Sequence, residues 1–307
     1  MRQTLVPICT AMAALTPLAA TPAASQQELP SEWTLCINEG KVYAPDIAAD
    51  GCTAVIRSGK RMPRELAVAF TNRGLAYRAL GDFDRAVADY DSAIKLDPSY
   101  APAFNNRGAA RRDKGEYDRA IADYTEAIRI DPRNAVVLTN RGAAWRDKGD
   151  LDRAIADYDE AIRINPEYAT ALTSRGNAYR EKGDFNQAVA LYEKAQAATH
   201  FPSVGQAITY AKMGRREDAR RILDQLIEKS RQQYVAADSI AAVYVALGEK
   251  DEAFRWLDRA VEEHSGSFYS YMFCPEFRPL RSDPRFSDLL RRIGLDPAQV
   301  LSRQNKQ

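Results

Sequence analysis

Histidine is nearly absent from this chain of 307 residues: only His200 and His264 occur. So few imidazoles exclude most histidine-based metal sites and leave an acid–base pair without its usual partner. An excess of one charge is also missing, since 43 Lys and Arg stand against 42 Asp and Glu. A general phosphate-backbone binder needs a basic footprint, so nucleic acid is disfavoured as a partner. The same balance argues against an acidic disordered tail. There is no Walker-type glycine-rich loop, no GxSxG, no HExxH and no CxxC. No catalytic set, metal site or cofactor is therefore expected. After residue 25 no uncharged run approaches the roughly 20 residues a membrane span needs.

The first 25 residues differ from the rest. Arg2 gives a positive start, Leu5 to Ala20 carry no charge, and Ala23-Ala24-Ser25 place small residues where a signal peptidase cuts. Residues 1–25 are read as a secretory signal cut before Gln26, which makes the mature protein periplasmic or secreted. The competing reading, a membrane anchor, suffers from Pro7, Thr10 and Thr16 inside a short stretch. Cys9 lies too early for a lipoprotein cleavage box. Export permits disulfides. Of four cysteines, Cys36, Cys52 and Cys274 would remain. Two short helices joined near Pro45 would bring Cys36 and Cys52 together as a disulfide. The alternative is two buried thiols acting as small apolar groups. Cys274 is then unpaired, beside Phe273 and Phe277.

A period of 34 residues organises the middle of the chain. It sets Gly74, Gly108, Gly142 and Gly176, then Gly81, Gly115, Gly149 and Gly183. Ala86, Ala120, Ala154 and Ala188 follow it, as do Tyr90, Tyr124, Tyr158 and Tyr192. Pro98, Pro132 and Pro166 close three units, while Pro202 arrives two residues late. Each unit resolves into two helices. Phe70, Arg73, Gly74 and Tyr77 mark one face of the first. Gly81 ends it, and Asp82, Glu116, Asp150 and Asp184 are placed to cap the second. Ala86, Tyr90, Ala93 and Ile94 stripe that second helix until Asp97-Pro98 stops it.

This pattern resembles the tetratricopeptide repeat (TPR) family. The second unit carries its offsets as Phe104, Gly108, Gly115, Ala120, Tyr124, Ala127 and Pro132, with Arg111 in place of an aromatic residue. The third carries Leu138, Gly142, Trp145, Gly149, Ala154, Tyr158, Ala161 and Pro166. The match covers residues 67–202 as four repeats. Two degenerate units at 203–266 keep Tyr210, Gly214, Ala219 and Leu223, then Tyr244, Gly248, Ala253 and Leu257. Residues 26–66 form an N-terminal capping hairpin, 267–296 a C-terminal cap, and 297–307 a tail. In the cap, Asp283 and Pro284 open a helix striped by Phe286, Leu289, Leu290 and Ile293. The aromatic group Phe268, Tyr269, Tyr271 and Phe273 is either buried by that cap or a docking patch. The fold implied is all-α: a right-handed solenoid of about six hairpins, capped at both ends.

In that family the first helices line a concave groove that holds partner peptides. Asn72, Asn106 and Asn140 recur there, with Ser174 in the fourth unit. They resemble the asparagine ladder in the repeat region of O-linked N-acetylglucosamine transferase, which engages the backbone of extended peptides. An amide both donates and accepts, so it can pair with any peptide unit. Equally, these amides can tie neighbouring helices together. Arg78, Arg112, Arg146 and Arg180 form a second ladder. It either forks carboxylates on a ligand or pairs with Asp113, Asp147 and Glu181 as a solvated charge face. A third series, Arg73, Arg107, Arg141 and Arg175, is expected to pair internally with Asp89, Asp123 and Asp157, with Leu191 leaving Arg175 unmatched. The carboxylate clamp of chaperone adaptors fits only at Asn177 and Asn105, which speaks against a chaperone-tail ligand. His200 reads as a loop residue and His264 as a helix-end contact.

The reading is a non-enzymatic protein-interaction scaffold that binds an extended protein segment in its groove. An alternative is a structural component of cell-envelope assembly that uses convex or terminal surfaces. An enzyme would need a cluster of unpaired buried acids, which the sequence does not show.

Overall fold

The structure is a computed structural model that describes residues 31–263 and 275–298. The signal at 1–25, His264, Cys274, the aromatic group at 268–273 and the tail beyond 298 lie outside the described residues. Of the fifteen described α-helices the first fourteen run in seven consecutive packed pairs, the last follows them, and no strand occurs among the described residues. They are α1 (Glu32–Ile37), α2 (Pro45–Ser58), α3 (Pro63–Ala79), α4 (Phe83–Leu96), α5 (Ala101–Asp113) and α6 (Tyr117–Ile130). Next come α7 (Ala135–Lys148), α8 (Leu151–Ile164), α9 (Ala169–Lys182), α10 (Phe185–Thr199), α11 (Val204–Lys212) and α12 (Arg216–Gln232). The series ends with α13 (Ala237–Ala246), α14 (Lys250–Glu262) and α15 (Pro284–Arg292), the last preceded by a 3-10 turn at Pro275–Leu280.

Local chemistry explains the boundaries. The carboxylates of Asp82, Asp150 and Asp184 accept hydrogen bonds from the N–H groups of Arg85, Arg153 and Gln187 at 3.0, 3.1 and 3.2 Å. They satisfy donors that the helix itself leaves open. Glu116 departs from the expected pattern. Its longer side chain makes no cap bond and pairs with Lys114 and Arg119, each at 3.1 Å. The first full hairpin begins at Pro63, earlier than residue 67, because proline suits the first helical position. The Glu65 carboxylate also accepts from the Met62 N–H at 3.0 Å. At the other end of the repeats, α10 stops at His200, which adopts φ 55° and gives way to Pro202.

The tyrosine at the middle of each second helix is the core of its unit. Tyr90, Tyr124, Tyr158 and Tyr192 are fully buried. Each ring presses on the first-helix glycine of its own hairpin: a Cβ on Gly142 would lie 2.7 Å from the Tyr158 ring. The ring's other side meets the next unit, where Ala110 covers Tyr90 and Ala178 covers Tyr158. Neighbouring first helices touch along the series α3, α5, α7, α9, α11 and α13, whereas the described second helices make no comparable contact with one another. First helices that close together and second helices splayed apart bend the stack, with the first helices on its inner surface.

Apolar packing is uneven along the ribbon. Units one to four share small clusters at each junction. From α11 to α15 one continuous cluster runs through both degenerate units, Phe277 and Phe286. At the opposite end Cys36 and Cys52 are buried, with sulfurs 2.11 Å apart, at disulfide-bonding distance.

Gly142→Ala should lower stability by about 1–3 kcal/mol, because a packed ring has to move. Gly149→Ala, in open space but at φ 95°, should cost only about 1 kcal/mol from its left-handed backbone. Urea titrations of both variants check the order. Burial pushes the phenols of Tyr124 and Tyr158 up to about 12. A raised pKa means that the fold prefers the neutral ring. Stability is therefore intact below pH ~10 and falls as pH climbs from about 10 to about 12. Alkaline titration should show tyrosinate absorbance from these rings rising together with loss of helical circular dichroism. Ionisation at the ordinary phenol value in a still-helical protein would contradict this.

Candidate functional site

Each of the first three repeat hairpins carries an internal ion pair. Arg73 grips Asp89 through Nε and Nη2 at 2.8 and 2.7 Å, and Arg141 grips Asp157 at 2.9 and 2.7 Å. Arg107 Nη2 donates to Asp123 at 2.6 Å while Nη1 reaches Asp91, also at 2.6 Å. Asp89, Asp123 and Asp157 are buried. Leu191 offers Arg175 no carboxylate, and Arg175 turns instead to Asp159 of the preceding unit at 2.8 Å. Arg111, the departure from the aromatic pattern, is explained by a second grip on Asp123 at 2.7 Å. Acids held this way are ion-paired, and so are poorly suited to act as general bases.

The ladder Arg78, Arg112, Arg146 and Arg180 links one unit to the next. Arg78 pairs with Asp113 and Arg112 with Asp147, both at 2.7 Å. Arg146 reaches Asp147 at 3.0 Å and Glu181 at 3.9 Å. Arg180 pairs with Glu276 at 2.8 Å. The pairing agrees with a self-matched series, but the face is not freely solvated. Side-chain exposure falls from 35% at Arg78 to 9% at Arg180 as the following units cover it.

The asparagines do not behave as one row. All three of Asn72, Asn106 and Asn140 are half-buried. Asn140 Nδ2 donates to Asn105 Oδ1 at 2.9 Å, which ties α7 to α5. Asn106 accepts a long bond from Asn105 at 3.4 Å. Asn177 Oδ1 accepts from the Tyr192 hydroxyl at 2.8 Å within its own hairpin. The inner surface thus offers a mixture of engaged and available amides.

Lower along the same surface, α9, the end of α10, α11 and α13 enclose a cavity of about 700 Å³. Arg180, Lys212 and Glu276 line it with Asn177, Thr173 and Phe201. Burial is the largest single influence on the Glu276 carboxyl and pushes it up, but Arg180, a backbone hydrogen bond and Lys212 together hold the group below the usual carboxylate range. Burial first, and Arg180 second, lower the Lys212 ammonium. Glu181 is raised, mainly by burial.

Two features escaped the sequence reading. Lys114, Lys148 and Lys182 pair backward with Asp84, Asp118 and Asp152 at 2.5–2.6 Å. Both partners follow the same period, so the signal was present. Glu276 follows no period and lies 96 residues from Arg180, so nothing in the sequence pointed to it. Among the described residues, no group of three His, Cys, Asp or Glu is placed to hold a metal ion. No described helix is long and apolar enough to cross a membrane.

Known proteins match this arrangement. Models described as tetratricopeptide repeat match residues 71–135 and 204–268, and again 169–198; one described as TPR repeat matches 144–179. A tetratricopeptide repeat protein from Parabacteroides merdae ATCC 43184 superposes with a TM-score of 0.62 at 18% identity, over 78% of this chain and 94% of that one. A thermophilic TPR protein of Thermus thermophilus gives 0.45 at 20% identity, over 68% of this chain and 100% of the other. MamA from Desulfovibrio magneticus RS-1 gives 0.47 at 23% identity, over 55% and 91%. No curated protein matches the chain. The repeat period, the paired helices and the matched models together make this chain a member of the tetratricopeptide repeat family.

Proposed function

We propose that the protein is an exported, non-enzymatic scaffold that holds an extended protein segment against the inner surface formed by its first helices. The observation that carries this reading is the unbroken row of first helices from α3 to α13, set with half-buried asparagines and arginines. A helix surface has spent its own backbone groups, so it reads a partner through side chains that donate and accept. The Asn72 side chain makes no hydrogen bond among the described residues, and Asn106 keeps its Nδ2 free of one, so both can meet a peptide backbone. The acids of the site are ion-paired, which supports binding over acid–base catalysis. Export rests on the N-terminal signal pattern and on two cysteines placed at bonding distance.

Binding is tested with an immobilised array of extended peptides and the triple variant Asn106→Ala, Asn140→Ala, Arg146→Ala. The folded variant should bind about tenfold or more weakly, the loss of one or more hydrogen bonds to charged or amide groups. Undiminished binding by a variant with native circular dichroism would reject the groove. Compartment is tested separately by peptide mapping without reduction, which should recover Cys36 linked to Cys52. Two free thiols in protein taken from its native compartment would contradict export into an oxidising space.

A further inference from the structure

The arginine ladder has a rule and one exception. Arg78 and Arg112 each pair with an acid 35 positions later, and Glu181 stands at the same offset from Arg146. The corresponding position for Arg180 holds Arg215, which cannot serve. Glu276, from the 3-10 turn that packs on α13, supplies the missing carboxylate instead. This pair sits at the wall of the 700 Å³ cavity, where a carboxylate arrives from outside the repeat pattern. Lys212 lines the same cavity and makes no ion pair among the described residues, although Arg180 is close enough to disfavour its charge. Arg146, Arg180 and Lys212 therefore line the cavity with two resident carboxylates, Glu276 paired with Arg180 and Glu181 3.9 Å from Arg146, which leaves the cations in excess by one.

We propose that this cavity is an acidic-residue pocket: an extended partner segment inserts an Asp or Glu side chain between Arg180 and Lys212, displacing the resident Glu276. The inference rests on the groove reading above and names what the groove selects. A carboxylate suits the site because two cations face it. Lys212 is exposed, so its ammonium can turn to meet an inserted carboxylate without first leaving a partner. Arginine also offers a planar donor fork that a second carboxylate can enter from a new direction. Phe201 and Ile208 supply apolar walls for the methylene part of such a side chain. The expected ligand is thus a segment with an acidic residue flanked by apolar ones, and it need not end in a free terminus. Two places of the chaperone-adaptor clamp, Thr173 and Asn177, also line this cavity, but neither is a cation; the positive charge here comes from Arg180 and Lys212, which stand at other positions.

The test uses the full chain and an array of extended peptides in matched pairs, one member with Glu and the other with Gln at the same place. Lys212→Met is the informative variant, because Lys212 supports no ion pair in the fold and its loss should leave circular dichroism unchanged. Glu peptides should bind better than their Gln partners. K212M should weaken the Glu peptides about tenfold, the scale of one charge-assisted contact, and spare the Gln peptides. E276Q should strengthen the Glu peptides, because a competitor has been weakened. Equal binding within pairs, or Glu peptides unaffected by K212M, would overturn the pocket while leaving the groove standing. Glu peptides that bind only E276Q would support displacement. Failure of every peptide on both the native chain and E276Q would overturn the pocket and the groove together.

Discussion

None of the four repeat hairpins can seal its own tyrosine. The ring of Tyr90, Tyr124, Tyr158 or Tyr192 rests on a glycine of the same hairpin, and its far side is exposed until the next first helix arrives. Everything else follows from that dependence. The glycine is fixed because a methyl group would occupy space the ring already holds. The stack has to continue until something unlike a repeat ends it. At one end the short pair α1–α2 does so, with Cys36, Cys52 and Val55 against Ala69. At the other end Phe277 and Phe286 close the last hairpin. Burying apolar surface drives the stacking, at about 25 cal/mol per Å².

Charge settles register more than stability. A buried ion pair gains little over an apolar pair of equal size, but breaking one is costly. The Arg73–Asp89 and Arg141–Asp157 forks accept one geometry within a hairpin. The Arg78–Asp113 and Arg112–Asp147 pairs accept one geometry between hairpins. A hairpin that slipped along its neighbour would strand several charges at once. Such penalties explain how small apolar clusters suffice to hold units one to four in one arrangement. They also explain why the inner surface is polar without being free: most of its cations are engaged with the next unit.

The fold was legible because its causes repeat. Glycine turns, aspartate caps and the alanine–tyrosine stripe recur at one spacing, so four independent copies vote on each position. The internal Arg–Asp pairs were legible for the same reason, including the gap at Leu191. What the sequence hid was whatever happens once. Arg111 looked like a flaw in an aromatic column until Asp123 was seen to hold it. Glu276 sits in a segment with no period, and only the path of the chain back onto α13 places it beside Arg180. Glu116 occupied a cap position by pattern, but its extra methylene sends the carboxylate to Lys114 and Arg119. The asparagine series had even spacing and uneven partners, because hydrogen bonding depends on each neighbour and not on the period.

The continuous apolar block from α11 to Phe286 has a consequence for how the molecule is made. A ribosome delivers the lightly packed hairpins before that block. The early units then spend their synthesis with a tyrosine face uncovered, and their junctions stay reversible until the final third supplies an anchor. Folding of such a chain should run backward along its own order of birth, from the strong end toward the weak one. Whatever guards the nascent protein has to shield the beginning of the ribbon for the whole time its end is still being written.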